Sequence, residues 1–320
     1  MPDESLLIGR RGKVLYLTLN RPDRHNALDF GLLEQLTEVL RSVSSDTPDL
    51  DDIRNAPDLD NIRRGGLRTP APPSGSVRPL ERPPRADRDG ATVPTEISPE
   101  FPPRSRTGEG AGGEGNPAVI VLRGAGERAF SAGFDVNLLT GTVADLDADD
   151  AVGVAASAIQ TCPVPVIACI RGYCFGAGFD LAMACDLRVA SDDSQFALPA
   201  VRLGVVYRYD LIADLISMCG LGRTRDLLLA MPTLTAAEAR SWGLLTDVVP
   251  ISDLSARVEE LAAALAAAPE SAVHGTKETI RLLATDSAEG EELEDLRRVA
   301  AVAPERQRAL QALRERLGIE

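Results

Sequence analysis

Two short glycine turns carry most of the chemistry this sequence can offer. They are Gly133-Phe134-Asp135 and Gly176-Ala177-Gly178-Phe179-Asp180. Each comes after an apolar run of strand character, AVIVLRG at 118–124 and VPVIACI at 164–170, and the second opens a helical stretch, FDLAMAC. Glycine lets a ligand approach the main chain closely. The first amides of a helix have no partner inside it and point outward. A pair of such amides can hold an oxygen on which negative charge develops during reaction. The alternative for either turn is a tight strand–helix junction that binds nothing. Neither turn is a nucleotide fingerprint: GYCFGAG lacks the GxGxxG order, and no GxxxxGK[ST] or G-x-S-x-G run occurs.

Asp180 falls in the first turn of the helix that follows. It is either a proton carrier or a structural carboxylate favoured there by the helix dipole. Asp135 reads as the cap of its own turn, and Asp210 and Asp214 are spare acids that spacing alone cannot bring to a pocket. His25 and His274 are the only histidines, so imidazole catalysis has little to draw on. No Cys/His cluster has metal-ligand spacing.

The elements that must position these turns follow an α/β rhythm. VLYLTLN (14–20) alternates as a half-buried strand does, and Ala27–Val43 is amphipathic at helical spacing. After Pro117 come the buried strand 118–124, a helical stretch at 152–161, the strand 164–170, the Gly-rich turn and helix, and the strand DLRVAS. Strands this continuously apolar are those of a parallel sheet covered on both faces. LTAAEARSWGL (234–244) carries a capping box, Thr235 with Glu238. A short strand, LLTDVVP, follows, and helices cover most of 252–317.

Residues 46–116 differ in kind. They hold more than half of the prolines, many arginines and glycines, and few large apolar side chains. Such a stretch cannot build a core and reads as a disordered or extended insert, a solvated linker or a docking segment for a partner. The chain therefore divides into the start of a core at 1–45, the insert at 46–116, the main core at 117–250 and a helical region at 251–320.

Formal net charge is −14. That opposes nucleic acid or an anionic membrane as partner, but not a small anionic ligand met by a local arginine or amide cluster. No apolar run reaches the roughly 18 residues of a membrane span. The N-terminal residues lack the basic-then-apolar order of a signal peptide. Cys162, Cys169, Cys174, Cys185 and Cys219 are odd in number and mostly in apolar runs, which suits reduced core thiols in the cytoplasm.

Five stretches together resemble the enoyl-CoA hydratase/isomerase (crotonase) family. They are NRPDRHNALD at 20–29, ERAFSAGFDV at 127–136, PVIACIRGYCFGAGFDLAMACDLRVAS at 165–191, FALPAVRLGVVY at 196–207 and LTAAEARSWGLLTDVVP at 234–250. The resemblance implies a crotonase spiral of β-β-α repeats with a C-terminal helical oligomerisation region building a homotrimer or hexamer. It implies an acyl-CoA substrate, no cofactor beyond the coenzyme A of that substrate, and no metal. It implies a thioester oxygen held between the main-chain N–H groups of Phe134 and Ala177. It also implies coenzyme A contacts at Arg21, Arg24, Ala27 and Ala132, with Arg21 or Arg24 meeting phosphates and the backbone near Ala27 meeting adenine. Lys277 is a weaker phosphate candidate, more simply read as a surface lysine.

Against the same pattern the chain departs from the hydratases. Their first glutamate corresponds to Asp180, one methylene shorter, and their second to Ala200, which carries no proton. Tyr207 stands where the methylmalonyl-CoA decarboxylase branch has a tyrosine facing the departing carboxylate, though Phe134 replaces that branch's histidine. Three functions stay open: an enolate reaction such as decarboxylation of a malonyl-type thioester, slightly favoured by Ala200; hydration or isomerisation with Asp180 as lone acid/base; and a non-catalytic acyl-CoA-binding scaffold. The alternative for Tyr207 is a packing aromatic.

Overall fold

The computed structural model describes residues 4–43, 115–285 and 290–317. The expected disordered insert at 46–116 lies outside the described residues except for 115 and 116. An antiparallel hairpin, β1 (Leu6–Arg11) and β2 (Val14–Leu19), opens the chain. Its first strand was not legible in the sequence, because LLIGRR has no clean alternation. Strand β2 pairs in parallel with β3 (Val119–Gly124), and β5 (Val166–Ile170), β7 (Leu187–Ser191) and β10 (Asp247–Val249) extend the sheet to six strands.

After each of β3, β5 and β7 the chain crosses into a second, four-stranded sheet. There it forms β4 (Ala129–Ser131), β6 (Tyr173–Phe175) and β8 (Gln195–Ala197), joined by β9 (Leu234–Thr235). A helix follows each crossing: α2 (Leu146–Thr161), α3 (Ala177–Ala184) and α4 (Tyr209–Arg225), the last broken at Gly220. The three β-β-α turns make the expected spiral. Strands of three residues are too short to show a period, which is why the second sheet was not read from sequence.

The central strands β3 and β5 of the large sheet are buried on both faces, as their apolar runs require. On one side Leu17, Leu19, Ile120 and Leu122 pack in the main core with Leu32 and Leu36 of α1 (Phe30–Ser42). On the other, Val119, Val121, Ile167 and Val189 are covered by Leu254, Val258 and Ala262 of α6 (Leu254–Ala267). Between α4 and α6 lies α5 (Ala236–Ser241), which carries the expected capping box: Glu238 N–H donates to Thr235 Oγ1 at 3.2 Å and Thr235 N–H to Glu238 Oε2 at 2.8 Å. Helices α7 (Glu270–Ala284), α8 (Gly290–Val302) and α9 (Pro304–Leu317) complete the C-terminal region. All five cysteines are free thiols, four of them buried. Among the described residues no helix is long and apolar enough to cross a membrane.

Two expectations about helix limits change. Helix α1 starts at Phe30 rather than Ala27, because Asp29 caps it by accepting from Leu32 N–H at 2.9 Å. Helix α2 starts at Leu146, ahead of 152, with Asp147 and Asp149 in its first turn.

Lys277 is not a surface lysine. Only 10% of its side chain is exposed. Its ammonium donates to Ile159 O (3.2 Å), Val164 O (3.0 Å) and Asp186 Oδ2 (2.8 Å). Asp186 in turn accepts Val166 N–H at 2.7 Å, so one ion pair ties α7 to the end of α2 and the start of β5. With its three donors engaged inside the fold, Lys277 is not available to a phosphate. Truncating the lysine takes the counter-ion from Asp186 and the ammonium donor from two carbonyls. Lys277→Ala should therefore lower unfolding stability by about 2–4 kcal/mol, read as the urea midpoint at unchanged slope. An unmoved midpoint would reduce this contact to decoration.

Candidate active site

The two glycine turns meet. Gly133, at φ +100°, packs so close to the second turn that a Cβ there would lie 3.1 Å from Phe175 O and 3.4 Å from Ala177 N. Gly178 faces the first turn: a Cβ would fall 2.5 Å from Ser131 Cβ and 2.8 Å from Ser131 O. Any larger residue at these two positions would wedge the turns apart.

The first turn is fixed from behind. Leu28, still extended ahead of α1, donates its N–H to Gly133 O and accepts from Asp135 N–H, both at 2.8 Å. Ser131 Oγ donates to Asn26 O (2.8 Å) and accepts from Gly133 N–H (3.2 Å). The Phe134 ring stands edge-on to Phe30 at 5.3 Å. The Phe134 N–H thus follows directly on the glycine that touches Ala177 N, and Ala177 is the first residue of α3. Neither N–H has an acceptor among the described residues. The structure therefore brings together the two amides singled out in the sequence.

Asp180 lies one turn into α3 and is buried. Its Oδ2 accepts from Arg208 Nη2 at 2.9 Å, and its Oδ1 takes no hydrogen bond among the described residues. Burial pushes its carboxyl up to about 6, against the opposing charge and hydrogen bond of Arg208. Tyr207 is half-buried against the core, its hydroxyl 4.0 Å from where a Cβ on Gly176 would stand. Asp180, Tyr207 and the two amides thus share the N-terminal end of α3. Ala200, in the position of the second glutamate, begins a single 3-10 turn, Ala200–Leu203.

Arg208 and Asp149 belong to the same cluster and were not singled out from the sequence. Arg208 Nη1 donates to Asp149 O at 2.9 Å, and Nε reaches Asp210 Oδ1 at 3.2 Å. These partners come from α2, α3 and α4. Arg208 is separated from Asp180 by 28 positions and from Asp149 by 59, beyond any local pattern. Asp210 is half exposed. Asp214 accepts from Gln160 Nε2 at 2.8 Å.

The coenzyme A candidates separate. Arg21 is committed within the fold: it donates to Ala27 O (2.7 Å) and pairs with Asp29 and Asp135, each at 3.0 Å. Arg24 also touches Asp135 (2.8 Å), but 59% of its side chain is exposed. Asp135 is buried, caps the turn at Val136–Leu138, and is held well below the usual carboxylate range by hydrogen bonds from Asn137 and Arg24. Its structural reading holds. Ala27 N–H donates to Arg24 O at 3.0 Å, so both main-chain groups of Ala27 are engaged. Ala132 is exposed, its N–H on His25 O at 2.9 Å.

Residues 111–317 match the family model described as Enoyl-CoA hydratase/isomerase. The chain belongs to the enoyl-CoA hydratase/isomerase family. It is 33% identical over 205 residues to YngF of Bacillus subtilis (strain 168), named as an enoyl-CoA hydratase/isomerase; the match covers 63% of this chain and 79% of that protein. It is 36% identical over 165 residues to the carnitinyl-CoA dehydratase of Proteus mirabilis (strain HI4320), covering 51% of this chain and 63% of that enzyme, less than two thirds of its length. The fold matches the enoyl-CoA hydratase/carnithine racemase structure from Magnetospirillum magneticum with a TM-score of 0.71 at 24% identity, over 98% of this chain and 93% of that one. The enoyl-CoA hydratase structure from Bacillus anthracis matches with a TM-score of 0.68 at 22% identity, over 98% and 97%.

The two arginines of the first loop should answer differently to truncation. Arg21→Ala removes the tie between Ala27, Asp29 and Asp135 and should cost about 2 kcal/mol, read as a lower Tm. Arg24→Ala should leave Tm within about a degree. Equal losses for both would contradict the division of roles drawn from their exposure.

Proposed function

We propose that this chain converts an acyl-CoA thioester through an enolate, with Phe134 and Ala177 N–H groups on the thioester oxygen and Asp180 as the single proton carrier. One observation carries the reading. A buried carboxylate, one oxygen of which takes no hydrogen bond among the described residues, stands a helical turn from the Ala177 amide, and burial raises it to about 6. A proton carrier works best with such a value.

One carboxylate suffices for syn elimination. Asp180 takes the α-proton of a 3-hydroxyacyl thioester, and the C–H electron pair moves into the carbonyl to give the enolate. Each oxyanion amide contributes about 3 kcal/mol to that intermediate. The enolate then re-forms the carbonyl, the bond from C3 to its hydroxyl breaks, and Asp180 returns the proton to the leaving oxygen as water departs. The reverse is hydration. Returning the proton to a different carbon of an enoyl thioester is isomerisation. No step needs a proton on Ala200, and none draws on a group beyond the substrate's coenzyme A.

Decarboxylation of a malonyl-type thioester is the second reading. The Tyr207 hydroxyl beside Gly176 favours it. Charge weighs against it: Asp149, Asp180 and Asp210 share one guanidinium, an excess of negative charge that repels a substrate carboxylate. That excess suits a neutral or cationic acyl group, and the carnitinyl group named for the Proteus relative carries a quaternary ammonium. In the scaffold reading, coenzyme A esters bind without turnover. Among the coenzyme A contacts, Arg24 is proposed as the phosphate partner in preference to Arg21. The C-terminal helices are proposed to build a homotrimer or hexamer, and light scattering should give a mass three or six times the chain's 34.0 kDa.

The deciding experiment incubates the protein with crotonyl-CoA, a 3-enoyl-CoA, carnitinyl-CoA and methylmalonyl-CoA and follows products by mass. Hydration, dehydration or isomerisation is expected. Asp180→Asn should lower kcat on the order of 10³-fold, Tyr207→Phe about tenfold or less, and Arg24→Ala should raise KM about tenfold with kcat kept. Carbon dioxide release from methylmalonyl-CoA as the main reaction would replace this reading with the second. Binding without any turnover would leave the scaffold.

A further inference from the structure

We propose that Arg208 is a positioning residue that sets the rotamer and proton state of Asp180, and that Gly153 exists to make room for it. The inference rests on the reading of Asp180 as proton carrier. It adds a device that neither the glycine turns nor the family match supplies.

Arg208 is only 12% exposed, so its charge stands in the fold with fixed partners. Nη2 holds Asp180 Oδ2 at 2.9 Å, Nη1 holds Asp149 O at 2.9 Å, and Nε lies 3.2 Å from Asp210 Oδ1. A planar fork anchored at three points on α2, α3 and α4 gives the Asp180 carboxylate one orientation, leaving Oδ1 as its open oxygen.

The notch that admits this fork is Gly153, in the interior of α2. A Cβ there would lie 2.5 Å from Arg208 Nε, 2.9 Å from Cζ and 3.0 Å from Cδ. Glycine weakens a helix interior relative to alanine. The contact with the guanidinium is the reason this helix carries one.

The charges facing the pair are Asp149 and its neighbour Asp150 on α2, and Asp210 and Asp214 on α4. Burial, Asp149 and Asp210 favour the protonated form of Asp180, and Arg208 opposes them. Removing the cation therefore raises the pH at which Asp180 ionises. Asp180 would then be protonated at neutral pH and unable to take the α-proton.

The test titrates full-length protein labelled with carboxyl-13C aspartate, the Asp180 resonance being assigned by its loss in Asp180→Asn. The pH profile of kcat is measured beside it on whichever thioester the protein turns over. In the native chain the acidic limb of kcat and the Asp180 resonance should titrate together near pH 6. Arg208→Gln should move both upward by at least one pH unit. Arg208→Lys, which keeps the charge and loses the fork, should keep the midpoint within about half a unit while kcat falls about tenfold or more. If Arg208→Gln does not fold, Gly153→Ala carries the test, because it displaces the guanidinium and should shift the resonance upward by half a unit or more. An unmoved Asp180 titration in Arg208→Gln, or in Gly153→Ala where the former does not fold, overturns the proposal. A shifted titration with full turnover retained by Asp180→Asn would support the pairing and overturn Asp180 as proton carrier.

Discussion

For two main-chain amides on separate β-β-α turns to reach one oxygen, the turns that carry them must touch backbone to backbone. That contact is the constraint on which the rest of this structure depends. Side chains cannot bridge the gap, because a Cβ on either facing glycine would enter the opposite turn. Gly133 against Phe175–Ala177, and Gly178 against Ser131, satisfy the demand from both sides. The surrounding elements hold the contact: Leu28 pairs with the first turn, Asn26 and Ser131 anchor its approach, and the parallel pairing of β4 with β6 sets the turns side by side. The loop around Arg21, Asp29 and Asp135 continues the same brace outward, so part of what resembles a ligand loop is structural.

The second level of organisation is electrostatic. A buried aspartate in a helix's first turn is ordinarily favoured in its charged form by the dipole. Here desolvation dominates, and the carboxyl is pushed up to about 6. Among the described residues, the charges acting on Asp180 are the carboxylates of Asp149 and Asp210 and the guanidinium of Arg208. Such an arrangement makes the proton state sensitive to small changes in position, because Coulomb energies at partly buried sites change steeply with distance. The proposed chemistry draws on Asp180 and needs no acid at position 200.

The sequence by itself determined the family, the parallel sheet and the two amide-bearing turns, because these are local features. Apolar runs, a Gly-rich turn and a helix start are each written in consecutive residues, and five such stretches in order left little room for another fold. The capping box at Thr235 and the structural part of Asp135 were legible for the same reason. What only the tertiary structure decided depends on distance in space. Strands of three residues have no period to read, so the second sheet was hidden. Lys277 changed from a surface residue to a buried tie because its three acceptors come from other elements. Arg21 and Arg24, alike in the sequence and both touching Asp135, separated because Arg21 also pairs with Asp29 inside the fold while Arg24 stays largely exposed. Above all, the partner of Asp180 is an arginine 28 positions away, admitted by a glycine in a third helix. A carboxylate's chemistry is set by its neighbours' charges, and those neighbours are chosen by the packing of α2, α3 and α4.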